Sequence, residues 1–92
     1  MKESSIDELL NWIISVDRRL ILMESLKRRT FVRASDVAHE ASRSTQNISH
    51  ALKELESKEL IHCLTPDKTT WKKYTLTDAG KRVLEKLDGK YF

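Results

Sequence analysis

The sequence predicts an α+β domain, mainly α, in which a pair of short helices stands before a two-stranded hairpin. Three observations predict it. Apolar residues recur at helical spacing along most of the chain. Between Ser35 and Leu76, two helical stretches meet at a tight turn and two β-prone runs flank a polar loop. The 92 residues hold only two glycines and one proline, which leaves room for one core and little linker. One domain over residues 1–92 is therefore expected, with an N-terminal helix in 1–16, a core in 17–87 and a short tail in 88–92.

The elements follow in order. Ser5 and Glu8 fit a capping box, and Ile6, Leu9, Leu10, Ile13 and Ile14 follow at helical spacing, with Trp12 and Val16 beside them. A second apolar set comprises Leu20, Ile21, Met23 and Leu26, with Ser15 and Asp17 suggesting a new N-cap between the two sets. Two consecutive helices with a bend near Ser15, or one kinked helix, satisfy this pattern. Lys27, Arg28 and Arg29 suit a helix C-terminus, where cations favour the dipole. Thr30–Phe31–Val32–Arg33 is β-prone and fits a single edge strand.

Ser35 is expected to cap a helix carrying Val37, Ala38 and Ala41, with Ser42–Arg43 as the turn. Ser44 is expected to cap the next helix, which runs to Ser57 and buries Ile48, Ala51, Leu52 and Leu55. At roughly 100° per residue, Gln46, His50, Lys53 and Ser57 fall opposite that stripe, with Asn47 and Ser49 on its flanks. Leu60–Leu64 reads as a strand, residues 65–70 as a loop opened by Pro66–Asp67, and Trp71–Leu76 as the returning strand. Thr77 is expected to cap a last helix with Val83, Leu84 and Leu87 on its apolar face, and Gly89 to stop it.

Composition narrows the functional classes. The formal charge of +3 and the pI near 9.1 are mildly basic. The distribution is more telling than the sum. Lys27, Arg28, Arg29, Arg33, Arg43 and Lys53 face only Asp36 and Glu40 in the same stretch, while acids gather at Glu3, Asp7 and Glu8 and again at Glu54, Glu56 and Glu59. The single cysteine, Cys63, allows no internal disulfide. No apolar run approaches a membrane span and no signal peptide is legible, so a cytoplasmic location is expected. There is no phosphate-cradling Gly-rich loop, nucleophile elbow or cluster of catalytic carboxylates, so an enzyme is not expected. His39, His62 and Cys63 lack CxxC or HxxxH spacing, and adjacent strand residues point to opposite faces; neither a metal site nor a cofactor is expected. Cys63 reads as a small packing residue.

The element order resembles that of the winged helix-turn-helix regulators, and the chain looks most like the small MarR/ArsR-like proteins of archaea and their viruses. Residues from about Asp17 to Leu87 carry the resemblance. Ala38, Ser42 and Ile48 match the small, turn and buried aliphatic positions of a helix-turn-helix. Ser49-x-x-Leu52-x-x-Leu55-Glu56 resembles the recognition helix, and Tyr74-x-Leu76-Thr77-x-x-Gly80 the strand-to-helix junction after the wing. The chain departs from the pattern at Ser42 and Glu59, where the family usually has glycine. A non-glycine residue held at positive φ costs about 1 kcal/mol or more, so altered turns are one expectation.

A polar helix face beside a basic hairpin suits double-stranded DNA. Gln46 and Asn47 can bond adenine bidentately, Ser49 and His50 can donate or accept, and Lys53 can reach guanine or phosphate. Ser44 and Thr45 at the helix start offer backbone amides to a phosphate. Lys68, Thr69, Thr70, Lys72 and Lys73 suit backbone or minor-groove contact, although the alternation of Lys72 and Lys73 allows only one to face DNA. Trp71 reads as a packing residue of the hairpin. Arg33 and Ser35 at the entrance of the first helix, and Arg43 in the turn, are candidates for phosphate. Ile6, Leu9, Leu10, Trp12 and Ile13, with Leu84, Leu87, Tyr91 and Phe92, are candidates for a two-fold interface, since a dimer doubles the reading length. The expectation is a homodimeric, sequence-specific DNA-binding regulator. A protein-interaction module and a sequence-tolerant architectural protein are the alternatives. No effector pocket is legible.

Overall fold

The computed structural model describes residues 3–68 and 72–91, with side chains from Ile6 onward. The elements run α1 (Glu3–Ile14), α2 (Asp17–Arg28), α3 (Ala34–Ala41), α4 (Thr45–Ser57), β1 (Ile61–Cys63), β2 (Tyr74–Leu76) and α5 (Asp78–Leu87). α1 packs against α2 and α5, α3 against α4, and α4 against α2 and β1. Leu10, Ile13, Leu22, Met23, Ile48 and Leu52 meet Leu55, Leu60, Val83 and Leu87 in one core.

The first pair of helices is two elements rather than one kinked rod. Val16, in extended conformation, is the N-cap of α2 and offers no side-chain bond. Neither Ser15 nor Asp17 takes that role. The Ser15 hydroxyl instead donates back to the Trp12 carbonyl at 2.7 Å, which favours the end of α1 over the start of α2. α1 already begins at Glu3, so Ser5 lies inside the helix and is not its N-cap. Ser35 is likewise inside its helix. Arg33 is the N-cap of α3, without a side-chain bond, because the extended backbone inherited from Val32 turns helical two residues earlier than expected.

The sheet is antiparallel, with Ile61 opposite Leu76, His62 opposite Thr75 and Cys63 opposite Tyr74. Both strands are shorter than their β-prone runs. Leu64 lies outside β1 but still donates its N–H to the Lys73 carbonyl at 2.7 Å. Val32 adds a one-residue third strand, exchanging two 2.9 Å backbone hydrogen bonds with Tyr74. Trp71, Thr69, Thr70 and Phe92, to which the sequence assigned roles, lie outside the described residues.

Two helix ends explain how the departures from glycine are accommodated. Ser42 has φ 55° and Glu59 φ 61°, both left-handed. At α3, Arg43 N–H donates to the Ala38 carbonyl at 2.8 Å and Ser42 N–H to that of His39 at 3.3 Å. At α4, Leu60 N–H donates to Leu55 at 3.1 Å and Glu59 N–H to Glu56 at 2.9 Å. Each is a Schellman arrangement, which satisfies carbonyls that the helix end would orphan. The turns therefore keep the geometry that glycine would favour, and side chains bear the conformational cost.

Candidate nucleic-acid interface

The most complete local arrangement is around α4. The Ser44 side chain accepts the Asn47 N–H at 3.0 Å, so the cap expected there is formed. Ile48, Ala51, Leu52 and Leu55 are buried, at 0–1% exposure, and fix the rotation of the helix. Thr45, Gln46, His50, Lys53 and Ser57 are exposed as a result, with Asn47 and Ser49 half-buried on the flanks. Among the described residues, Gln46, His50 and Lys53 have no side-chain hydrogen bond or ion pair within the chain. The Asn47 Oδ1 is buried and lacks a donor.

The basic residues nearby are less free than their spacing suggested. Arg33 Nε donates to Asp36 Oδ2 at 2.9 Å. Arg43 pairs with Asp17, which ties the turn to the start of α2, and Arg29 pairs with Glu40. Lys27 Nζ lies 2.7 Å from Asp88 Oδ1. Asp17 and Asp88 are distant in sequence, so a count of acids within the stretch misses them. Such pairs between partly exposed groups contribute about 0–1 kcal/mol, and a competing phosphate can displace them. Lys53 remains unpaired.

In the hairpin, Lys68 is exposed and Lys72 and Lys73 are half-buried. The Lys73 ammonium sits 4.7 Å from the centroid of the exposed Phe31 ring, a cation–π contact that turns it toward the strand before α3. Ser35 is exposed on the first turn of α3.

An unforeseen cluster positions α4. Arg18 and Arg19, on the first turn of α2, both donate to the Glu54 carboxylate, at 3.2–3.4 Å. Arg19 also donates to the Trp12 carbonyl at 2.8 Å and stacks 3.9 Å from the Trp12 ring centroid. One guanidinium thus links α1, α2 and α4. The Arg19 hydrogen bond, joined by that of Arg18 and opposed by partial burial, holds the Glu54 carboxyl below its ordinary range. The adjacent arginines after the bend were the only signal in the sequence, and their partner stands 36 and 35 residues further along the chain.

The candidate interface residues at the chain ends divide. Leu10, Ile13 and Leu87 are buried in the core of their own chain, so their side chains are not surface features. Ile6, Leu9, Trp12 and Leu84 are half-buried, and Tyr91 is 43% exposed. Among the described residues no three His, Cys, Asp or Glu side chains cluster as a metal site, and no helix is long and apolar enough to cross a membrane.

A helix-turn-helix followed by a two-stranded hairpin and a closing helix defines this protein as a winged helix. Its structure is similar to that of the AntR antimony-specific transcriptional repressor, with a TM-score of 0.72 and 23% sequence identity over 90% of this chain and 74% of that one. That likeness is one of fold. No protein-family profile matches the sequence. No curated protein matches it.

Proposed function

We propose that this winged helix is a sequence-specific, double-stranded DNA-binding transcriptional regulator that acts as a homodimer on a pseudo-palindromic site. One observation carries the reading: α4 is anchored on one side and leaves Gln46, His50 and Lys53 without partners on the other. A rigid helix with a row of unoccupied donors and acceptors fits a major groove. The similarity of fold to a protein described as a transcriptional repressor supports the class.

In this reading α4 supplies sequence recognition through Gln46, Asn47, Ser49 and His50. Lys53, Lys68 and Lys72 neutralise phosphates, and the backbone amides of the capped start of α4, at Ser44 and Thr45, receive another. Arg33 and Arg43 exchange their carboxylate partners for phosphate at little cost, since the pairs they leave are weak. Two copies would set their α4 helices about 34 Å apart, one turn of the duplex. Ile6, Leu9, Trp12, Leu84 and Tyr91 supply the self-complementary surface, and an archaeal or viral regulator of the MarR/ArsR-like type remains the kind the motifs favour.

Binding to duplex DNA over a salt titration, with random duplex as competitor, tests the reading. A specific regulator gives a steep salt dependence and retains its site against excess competitor. An architectural protein loses its hold to random DNA, and an interaction module shows no salt-dependent duplex binding at all.

A further inference from the structure

α4 is held to the rest of the fold by two kinds of contact. Its buried stripe, Ile48, Ala51, Leu52 and Leu55, decides which side faces the core. Apolar burial has no direction, so it tolerates a small slide or tilt of the helix over the core. The second kind of contact is directional. The Glu54 carboxylate accepts from Arg18 and Arg19 of α2 at 3.2–3.4 Å, and a guanidinium fork on a carboxylate fixes both distance and angle. Four residues on, the Lys58 ammonium at the end of α4 lies 5.4 Å from the centroid of the Trp12 ring, the same ring that Arg19 stacks on. Glu54 and Lys58 thereby pin α4 to the corner where α1 meets α2.

The make-up of this corner serves stability poorly. Two guanidinium groups share one carboxylate, and Arg18 Nε is buried without an acceptor among the described residues. A buried donor left unmet is destabilising, and a partly exposed ion pair returns little. Orientation is what the arrangement does supply. Gln46 and His50 precede Glu54 on the same helix and stand about 12 and 6 Å from it along the axis. A tilt about this anchor therefore moves both with respect to anything docked on α4.

We propose that Glu54 is a positioning residue for sequence discrimination: it sets the pose of α4 in the major groove without touching DNA, an assignment that rests on the DNA-binding reading of α4. The physical reason lies in how the two kinds of DNA contact depend on geometry. A bidentate bond to a base edge weakens steeply with a small error of distance or angle. Attraction between a lysine and a phosphate falls off slowly and survives such an error. Loosening α4 thus removes base reading first. Glu54 is also a negative charge next to Lys53 in sequence, and its loss frees two guanidinium groups from their common partner. Random duplex then binds better while discrimination is lost.

The test measures the affinity of Glu54→Gln for a site selected from random duplexes and for random duplex itself, at neutral pH, with the folded fraction followed by circular dichroism. The expected result is binding to random duplex tightened by about twofold and preference for the selected site lowered by about tenfold, the value of one misplaced bidentate contact. Glu56→Gln, the same charge change on an exposed residue two positions along α4, should raise binding to both duplexes alike and keep the preference. Arg19→Lys keeps the net charge and loses the fork, so it should lower the preference and leave random binding unchanged. A role in folding alone would weaken both duplexes together, and a role as a repelling charge alone would strengthen both together. Either result in Glu54→Gln, or an unchanged preference in Arg19→Lys, would overturn the assignment and leave the DNA-binding reading intact. A wild-type chain with no salt-dependent duplex binding would overturn that reading itself, and this assignment with it.

Discussion

Ser42 and Glu59 bear left-handed backbone on ordinary side chains, and each forgoes the freedom glycine would have there. Ser42→Gly and Glu59→Gly should each raise stability to chemical denaturation by about 1 kcal/mol, without shifting the helix ends. Gly80 is the opposite case. A Cβ at this position would lie 2.0 Å from the Leu60 carbonyl oxygen and 2.9 Å from a Leu76 methyl. The obstacle is backbone, so it cannot swing aside, and Gly80→Ala should cost about 3 kcal/mol in the same measurement. That explains the glycine in Tyr74-x-Leu76-Thr77-x-x-Gly80. On α4, Gln46→Ala or His50→Ala should relax base preference, with a loss of about 1–3 kcal/mol at the cognate site only. Lys53→Ala should weaken binding to all duplexes alike and reduce the salt slope by about 1. Uniform loss from all three changes in a binding assay would count against base reading by this helix.

The helices and hairpin are held to one another by a few specific links. Thr77 is the densest of these. Its hydroxyl accepts the Gly80 N–H at 3.0 Å and donates to the Glu59 carbonyl at 2.7 Å, while its own N–H donates to Leu60 at 3.0 Å. The start of α5 is thereby fastened to the end of α4. Glu54 performs the corresponding task between α4 and α2. Because its folded carboxyl titrates below the ordinary value of 4.5, it contributes stability that is complete above that value and is lost as pH falls through the lowered one. Glu54→Gln should therefore flatten the acid limb of the stability–pH profile followed by circular dichroism. Tyr74 works at the other end of the scale. Burial, with smaller contributions from Glu56 and Cys63, raises its phenol above 10.0. Its contribution is complete below that value and is lost as pH rises through the raised one.

For the molecule as a whole, the decisive quantity is the number of copies that act together. If α4 reads DNA as proposed, a single copy with one unpaired lysine on that helix would make few phosphate contacts and read a short site. Sedimentation should give a particle of twice 10.7 kDa. Ile6→Glu and Tyr91→Glu change partly exposed positions, so each should yield monomers with unaltered helical content and much weaker duplex binding. A wild-type chain that sediments as a monomer at micromolar concentration would remove the two-fold site from the proposed function while leaving the fold untouched.

Much of this architecture was legible in order of residues alone. The rotation of α4, the caps at Ser44 and Thr77, and the hairpin after α4 all depend on periodicity or on hydrogen bonds within a turn or two, where sequence neighbours are spatial neighbours. The false caps at Ser5, Ser15 and Ser35 show the limit of that logic, since where a helix begins also depends on the chain entering it. The pairing of Arg43 with Asp17 and of Arg18 and Arg19 with Glu54 required the path of the chain. So did the consignment of Leu10, Ile13 and Leu87 to the interior and the closeness of Gly80 to Leu60. Charge attraction and packing act between whatever groups the fold brings within a few ångströms, and residues dozens of positions apart carry no local mark of that meeting.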